Sequence, residues 1–170
     1  MNFIKNIFNS NKNTLEQEAI INNDSILLFT YGSMKKGFQN DSQLSSEIYL
    51  GNAQTLNEYT MHPASSFKFP YCIEDEAKYK IEGELYILNS IESLDRLDQF
   101  EGVPYHYYRK LIDIQYNGKI YQANVYFRSS DYNQSYENKI HISNWTKEFE
   151  KCGELLGEFE DQLHLAIIKS

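Results

Sequence analysis

Apolar residues fall in short runs along most of this chain and gather into one long stripe near its end. Residues 26–29 are continuous and apolar, and the run stops at Tyr31-Gly32-Ser33, so residues 25–31 read as a buried strand ending in a sharp turn. Residues 47–57 read as a second strand, interrupted at Gly51 by a bulge or turn. Residues 59–61 form a short third. Residues 67–72 are extended, because Pro70 disfavours a helix and biases Phe69 toward β geometry. Residues 79–88 alternate apolar and polar at first and then run apolar, a strand interrupted by Gly83.

A core helix follows. Ile91, Leu94 and Leu97 recur at helical spacing behind Ser90, a good cap. The helix ends near Phe100-Glu101-Gly102, and Pro104 blocks any continuation. Residues 107–116 and 119–128 are rich in Tyr, Ile and Val, and Asn117-Gly118 joins them as a hairpin. Last, Trp145, Phe149, Cys152, Leu156, Phe159 and Leu163 follow a 4-3-4-3-4 spacing, one apolar face of a helix over residues 144–169 with Ser143 as its cap. Such a face packs on its own domain or forms a homodimer seam. Strands that do not alternate with helices argue against a doubly wound sheet and for an α+β fold with a mixed or antiparallel sheet curled into a small barrel. Three regions result: a partly ordered N-terminal extension at 1–24 with Phe3, Ile4, Ile7 and Phe8 on one helical face, a domain at 25–130, and a linker with the last helix at 131–170.

Composition narrows the function classes. The formal net charge is −8, which argues against a nucleic-acid surface and leaves room for a small anion held locally. No apolar run approaches a membrane span. The two cysteines, Cys72 and Cys152, are too few for a disulfide framework and too far apart for a metal pair; both read as core residues of a cytoplasmic protein. Four scattered histidines, His62, His106, His141 and His164, give no ligand spacing, so neither metal nor cofactor is expected and each reads as a loop or surface group.

The turn after the first strand holds the candidate chemistry. A strand ending in small residues can aim several backbone N–H groups at one point and bind an anion. Gly32-x4-Gly37 is not a phosphate loop, because Phe38-Gln39 stand where Lys and Ser/Thr are required. Ser33 lacks the flanking pattern of a nucleophile elbow. Glu101, at a helix end between Phe100 and Gly102, is a carboxylate that apolar neighbours could desolvate into a stronger base.

Tyr31-Gly32-Ser33-Met34-Lys35-Lys36-Gly37, with Asn40 beyond, resembles the signature loop of the gamma-glutamyl cyclotransferase-like family. The resemblance continues through Gly51, Phe69-Pro70 and Gly83-Glu84-Leu85-Tyr86. It reaches Leu97-Asp98-x2-Glu101-Gly102-x-Pro104-x2-Tyr107-x-Arg109, which is similar to the gamma-glutamylamine cyclotransferase branch. Met34 stands where Leu is commoner. The resemblance implies a small mixed β-barrel flanked by helices, to which this chain adds its long C-terminal helix. It also implies a cytoplasmic enzyme without cofactor that converts a small gamma-glutamyl substrate to 5-oxoproline and a free amine. Glu101 is then the catalytic base, and Tyr31, Gly32, Ser33, Met34 and Tyr126 bind substrate. Arg109 is expected to hold structure by pairing with a carboxylate near the loop. The alternative on the same fold is a non-catalytic module that uses the cavity for a carboxylate ligand and the C-terminal stripe for a partner.

Overall fold

A computed structural model describes residues 20–74, 77–128 and 140–168. The expected helical face at Phe3, Ile4, Ile7 and Phe8 and the linker at 131–139 lie outside the described residues. Five strands close into a barrel: β1 (Ile26–Thr30), β2 (Ile48–Thr55), β5 (Glu82–Leu88), β6 (Tyr107–Tyr116) and β7 (Lys119–Arg128), in the order β1-β5-β2-β6-β7. β1 meets β7 in parallel and every other pairing is antiparallel, so the barrel is mixed, as expected. A separate ribbon joins β3 (Thr60–Pro63) to β4 (Pro70–Ile73). Among the described residues, two α-helices flank these sheets, α1 (Ile91–Glu101) and α2 (Lys147–Ile168). No described helix is long and apolar enough to cross a membrane.

Period-2 alternation fills the barrel. Leu27 and Phe29 of β1, Leu85 and Ile87 of β5, Ile112 and Ile114 of β6, and Ala123, Val125 and Phe127 of β7 belong to one buried cluster. The opposite phase of the same strands, Leu28, Tyr86, Leu88 and Tyr126, forms a second cluster with Leu94 and Leu97 of α1. Full burial of each of those two leucines is worth about 1.5–3 kcal/mol, which holds α1 against the barrel wall. Ile91, the third member of the expected helical stripe, is exposed.

Turn chemistry explains where elements stop. The Ser90 hydroxyl accepts from the Ser93 N–H at 3.4 Å and caps α1. Gly102 ends it in the left-handed region at φ 68°, donating back to the carbonyls of Asp98 and Gln99. Asn117 and Gly118, at φ 48° and 77°, make the tight turn between β6 and β7. The β2 register shifts between Tyr49 and Gly51, the expected bulge.

Several boundaries moved. Tyr79 makes only an isolated bridge to Tyr59, and β5 begins at Glu82. Phe67 adopts a positive φ of 52° in the turn between β3 and β4, so that extended stretch starts at Pro70. Helix α2 begins at Lys147, because Asn144 and the Trp145 carbonyl are engaged by the Lys35 ammonium instead. Cys72 is buried, whereas Cys152 is exposed, against expectation: it lies on the solvent side of α2.

β1 and β7 touch at one register pair, Leu28↔Asn124. Beyond it side chains replace ladder bonds. The Asn124 amide donates to the Leu27 carbonyl at 2.9 Å, and the Tyr31 hydroxyl donates to the Tyr126 carbonyl at 2.8 Å.

Candidate active site

A cavity of about 440 Å3 opens beside this seam. The turn after β1 lines it with Tyr31, Gly32, Ser33 and Met34, and Glu101 enters from the last position of α1. Tyr126 enters from β7, and Phe69 and Pro70 cover another side. The structure therefore brings every expected site residue to one cavity.

The turn is held from behind. From Lys35 to Asp41 each backbone N–H has an acceptor. Lys35 donates to the Gly32 carbonyl, Phe38 to Lys35, Asn40 to Ser33 and Asp41 to Phe38. Lys36 donates to the Glu84 carboxylate at 2.7 Å, Gly37 to Asp41 at 3.0 Å and Gln39 to Glu150 of α2 at 2.6 Å. The N–H groups of Gly32, Ser33 and Met34 have no acceptor among the described residues. Gly32 is required by close approach: a Cβ there would lie 3.0 Å from the Pro70 ring. Lys35 turns away from the cavity, and burial pushes its ammonium below the usual lysine range, an effect opposed by Glu84 and Glu82.

Glu101 is half-buried, and desolvation pushes its carboxyl up to about 7. Its place at the negative end of α1 acts in the same direction. No hydrogen bond or ion pair from a described residue offsets the burial. One turn back, Asp98 is treated differently. Arg109 grips it with Nε at 2.8 Å and Nη2 at 3.1 Å, and the Tyr126 hydroxyl donates to it at 2.7 Å. Arg109 also donates to Asn124 at 2.8 Å. Arg109 thus pairs with a carboxylate, as expected, though one on α1. The Tyr126 ring lines the cavity while its hydroxyl is spent on Asp98.

Two basic lining residues were not foreseen. His106, expected on a loop or surface, is exposed yet lines the cavity, and so does Arg128 at the end of β7. Arg128 follows Tyr126 by two in the same strand, and that spacing was the signal available. The described residues contain no cluster of His, Cys, Asp and Glu suited to a metal ion.

Residues 28–147 match the family described as gamma-glutamyl cyclotransferase, AIG2-like. A Methanocaldococcus jannaschii protein provisionally named gamma-glutamylcyclotransferase is 35% identical over 102 residues, 59% of this chain and 82% of that protein. Gamma-glutamylaminecyclotransferase A of Danio rerio is 32% identical over 114 residues, 62% of this chain and 70% of its own length. The crystal structure of an AIG2-like protein from Mus musculus has the same fold, with a TM-score of 0.65 at 22% identity, covering 73% of this chain and 90% of that one.

Proposed function

We propose that this chain, which belongs to the gamma-glutamyl cyclotransferase, AIG2-like family, is a cyclotransferase of the gamma-glutamylamine type that uses Glu101 as its single acid–base group. The observation that carries the reading is the presence of two features on the lining of one cavity. One is a desolvated carboxyl, and the other is a turn whose backbone N–H groups at residues 32–34 have no acceptor among the described residues.

The chemistry accounts for both features. The α-amine of a γ-glutamyl amide is protonated at neutral pH and cannot attack. Ionised Glu101 takes one proton from it, and the freed nitrogen adds to the γ-carbonyl carbon. The new C–N bond closes a five-membered ring and pushes negative charge onto the carbonyl oxygen. Backbone N–H groups at residues 32–34 bind the α-carboxylate and stabilise that oxyanion. Protonated Glu101 gives its proton to the departing nitrogen, the amide C–N bond breaks, and the carboxylate then takes the extra proton from the ring nitrogen and passes it to the released amine, so that 5-oxoproline and the amine in its protonated form leave. No water is consumed. A pKa near 7 suits a group that must both accept and donate at neutral pH. Because the attack is intramolecular, holding the glutamyl chain folded supplies much of the rate. Tyr31 and Tyr126 shape the wall against that chain.

Incubation with γ-glutamyl amides, followed by chromatography for 5-oxoproline, tests the reading. Glu101→Gln is expected to lower turnover by about a hundredfold or more. A variant retaining full turnover overturns the assignment of the base.

A further inference from the structure

The cavity has a floor and a mouth. Phe29, Tyr31 and Tyr126 are among its buried lining residues, whereas the exposed ones among the described residues are Phe69, Phe100 and His106, and each of these three carries a ring. Phe69 is 37% exposed and Phe100 is 42% exposed. Elsewhere Phe67, Phe127 and Phe149 stack on other rings, but Phe69 and Phe100 stack on no described residue. Apolar rings left open on a concave lining mark a place where a ligand covers them.

Both rings stand on held backbone beside the chemistry. Phe100 belongs to the last turn of α1 and directly precedes Glu101. The Phe69 carbonyl accepts from the Ala64 N–H at 2.8 Å. The next residue, Pro70, is the one whose ring a Cβ on Gly32 would meet at 3.0 Å. Phe100 therefore flanks the acid–base group, and Phe69 flanks the turn. The reaction gives the glutamyl half of the substrate to Glu101 and to the N–H groups of that turn. The departing nitrogen must reach Glu101 to receive its proton, so the group it carries runs past Phe100 toward the open side.

Charge narrows the chemistry of that group. Glu101 is the one carboxylate on the described lining, and the reaction occupies it, so a second ammonium on the amine meets no counter-charge there. The Arg128 guanidinium is already engaged, 5.3 Å from the centre of the Tyr71 ring and 5.7 Å from that of Tyr107. An uncharged substituent gains by covering the open phenyl faces. A planar ring gains most, because aromatic pairs add stacked or edge-to-face attraction to the burial of area.

We propose that the released amine is an arylalkylamine whose ring is held at the mouth by Phe69 and Phe100. This rests on the cyclotransferase reading and names its substrate class.

The test compares three conjugates that share the glutamyl half: γ-glutamyl-phenethylamine, γ-glutamyl-ethylamine, and the conjugate through one nitrogen of 1,5-diaminopentane. Wild-type protein is expected to favour γ-glutamyl-phenethylamine over each of the others by about tenfold or more in kcat/KM, through KM. Replacing both rings, Phe69→Gln with Phe100→Gln, should bring the phenethylamine-to-ethylamine ratio to within about threefold of unity, and Phe100→Leu alone should keep part of it. Affinities for the Glu101→Gln protein, measured by calorimetry, should show the same preference without turnover. A wild-type protein that does not discriminate, or that favours the diaminopentane conjugate, overturns the proposal, whatever the variants do. Equal losses on all three compounds in the double variant also overturn it, because they assign the rings to the glutamyl half. If 5-oxoproline never forms while the binding preference persists, the cyclotransferase reading fails and the aromatic mouth stands as a binding site. If 5-oxoproline forms equally well from all three, the mouth fails and the cyclotransferase reading stands. Binding of none of them removes both.

Discussion

With its carboxyl pushed up to about 7, Glu101 is divided between its two protonation states at neutral pH. The base form is needed to start the reaction, so kcat/KM is expected to rise with pH along an acid limb centred near 7. A pH–rate profile whose acid limb lies near the ordinary carboxylate value would show that substrate does not meet a desolvated Glu101. The same burial costs stability. The carboxyl of the unfolded chain loses its proton near 4.5 and that of the folded chain near 7, so the fold weakens as pH rises between those values, and the full penalty applies above them. Glu101→Gln, which cannot ionise, is expected to be more stable than wild type at pH 8. The margin is about 1–2 kcal/mol, reduced from the full linkage value because the group is only half-buried. Denaturant titrations at pH 8 and pH 4.5 check this, and the gap should close at the lower pH. Local marks, a helix end at Gly102 and a strand end at Gly32, placed Glu101 and the turn at residues 31–34 at element ends, and the family resemblance singled them out as site residues. Arg128 and His106 were not. Whether a side chain at a strand end or in a loop reaches a cavity depends on what lies across from it, and only the fold brings Tyr71, Tyr107 and Arg128 together.

Among the elements, α2 departs most from its expectation. Its first turns belong to the domain. Trp145, just before the helix, stacks on Phe149 at 5.2 Å, Phe149 stacks on Phe67 at 6.3 Å, and a Cβ on Gly153 would lie 2.5 Å from the Phe67 carbonyl oxygen. Glu150, paired with Lys147, accepts from the Gln39 N–H, and the Lys35 ammonium donates to the Trp145 carbonyl and to Asn144 at 2.9 Å. The start of this helix and the turn after β1 are therefore one clamped unit. Lys35→Met is expected to cost about 1–3 kcal/mol by leaving a buried carbonyl unsatisfied. It should also raise KM as residues 32–34 loosen, while the acid limb near pH 7 stays in place. Unfolding curves and steady-state kinetics separate these effects. The sequence showed that a helix was present through its apolar period, but it could not show the start, because the residues that would have opened it bind Lys35, more than a hundred positions earlier.

At the scale of the whole molecule, the far part of α2 presents Leu155, Leu156 and Phe159 to solvent, with Phe159 63% exposed. A homodimer through the expected helical stripe would bury these three residues. Phe159→Glu is then expected to reduce the sedimenting mass to that of one chain while moving the unfolding free energy by no more than about 0.5 kcal/mol. A wild-type protein that sediments as one chain at every concentration removes the seam. The small barrel, its strand content and its hairpin were readable from period, turn residues and the family resemblance, whereas the strand pairing that closes it was not. β1 and β7 lie about a hundred residues apart, and one parallel pair with two side-chain bonds joins them.

That joint has a geometric consequence. Past Leu28 and Asn124 the two strands no longer bond to each other through their backbones, and the residues just beyond, Thr30 and Tyr31 on one side and Tyr126 and Arg128 on the other, are cavity walls. The cavity opens where the ladder between these strands stops, and among the described residues the Tyr31 hydroxyl ties its two banks together. In the proposed reading the Tyr31 hydroxyl acts as a tie-beam between the two banks of the cavity, so Tyr31 would bear on the aperture of the site as well as on its lining.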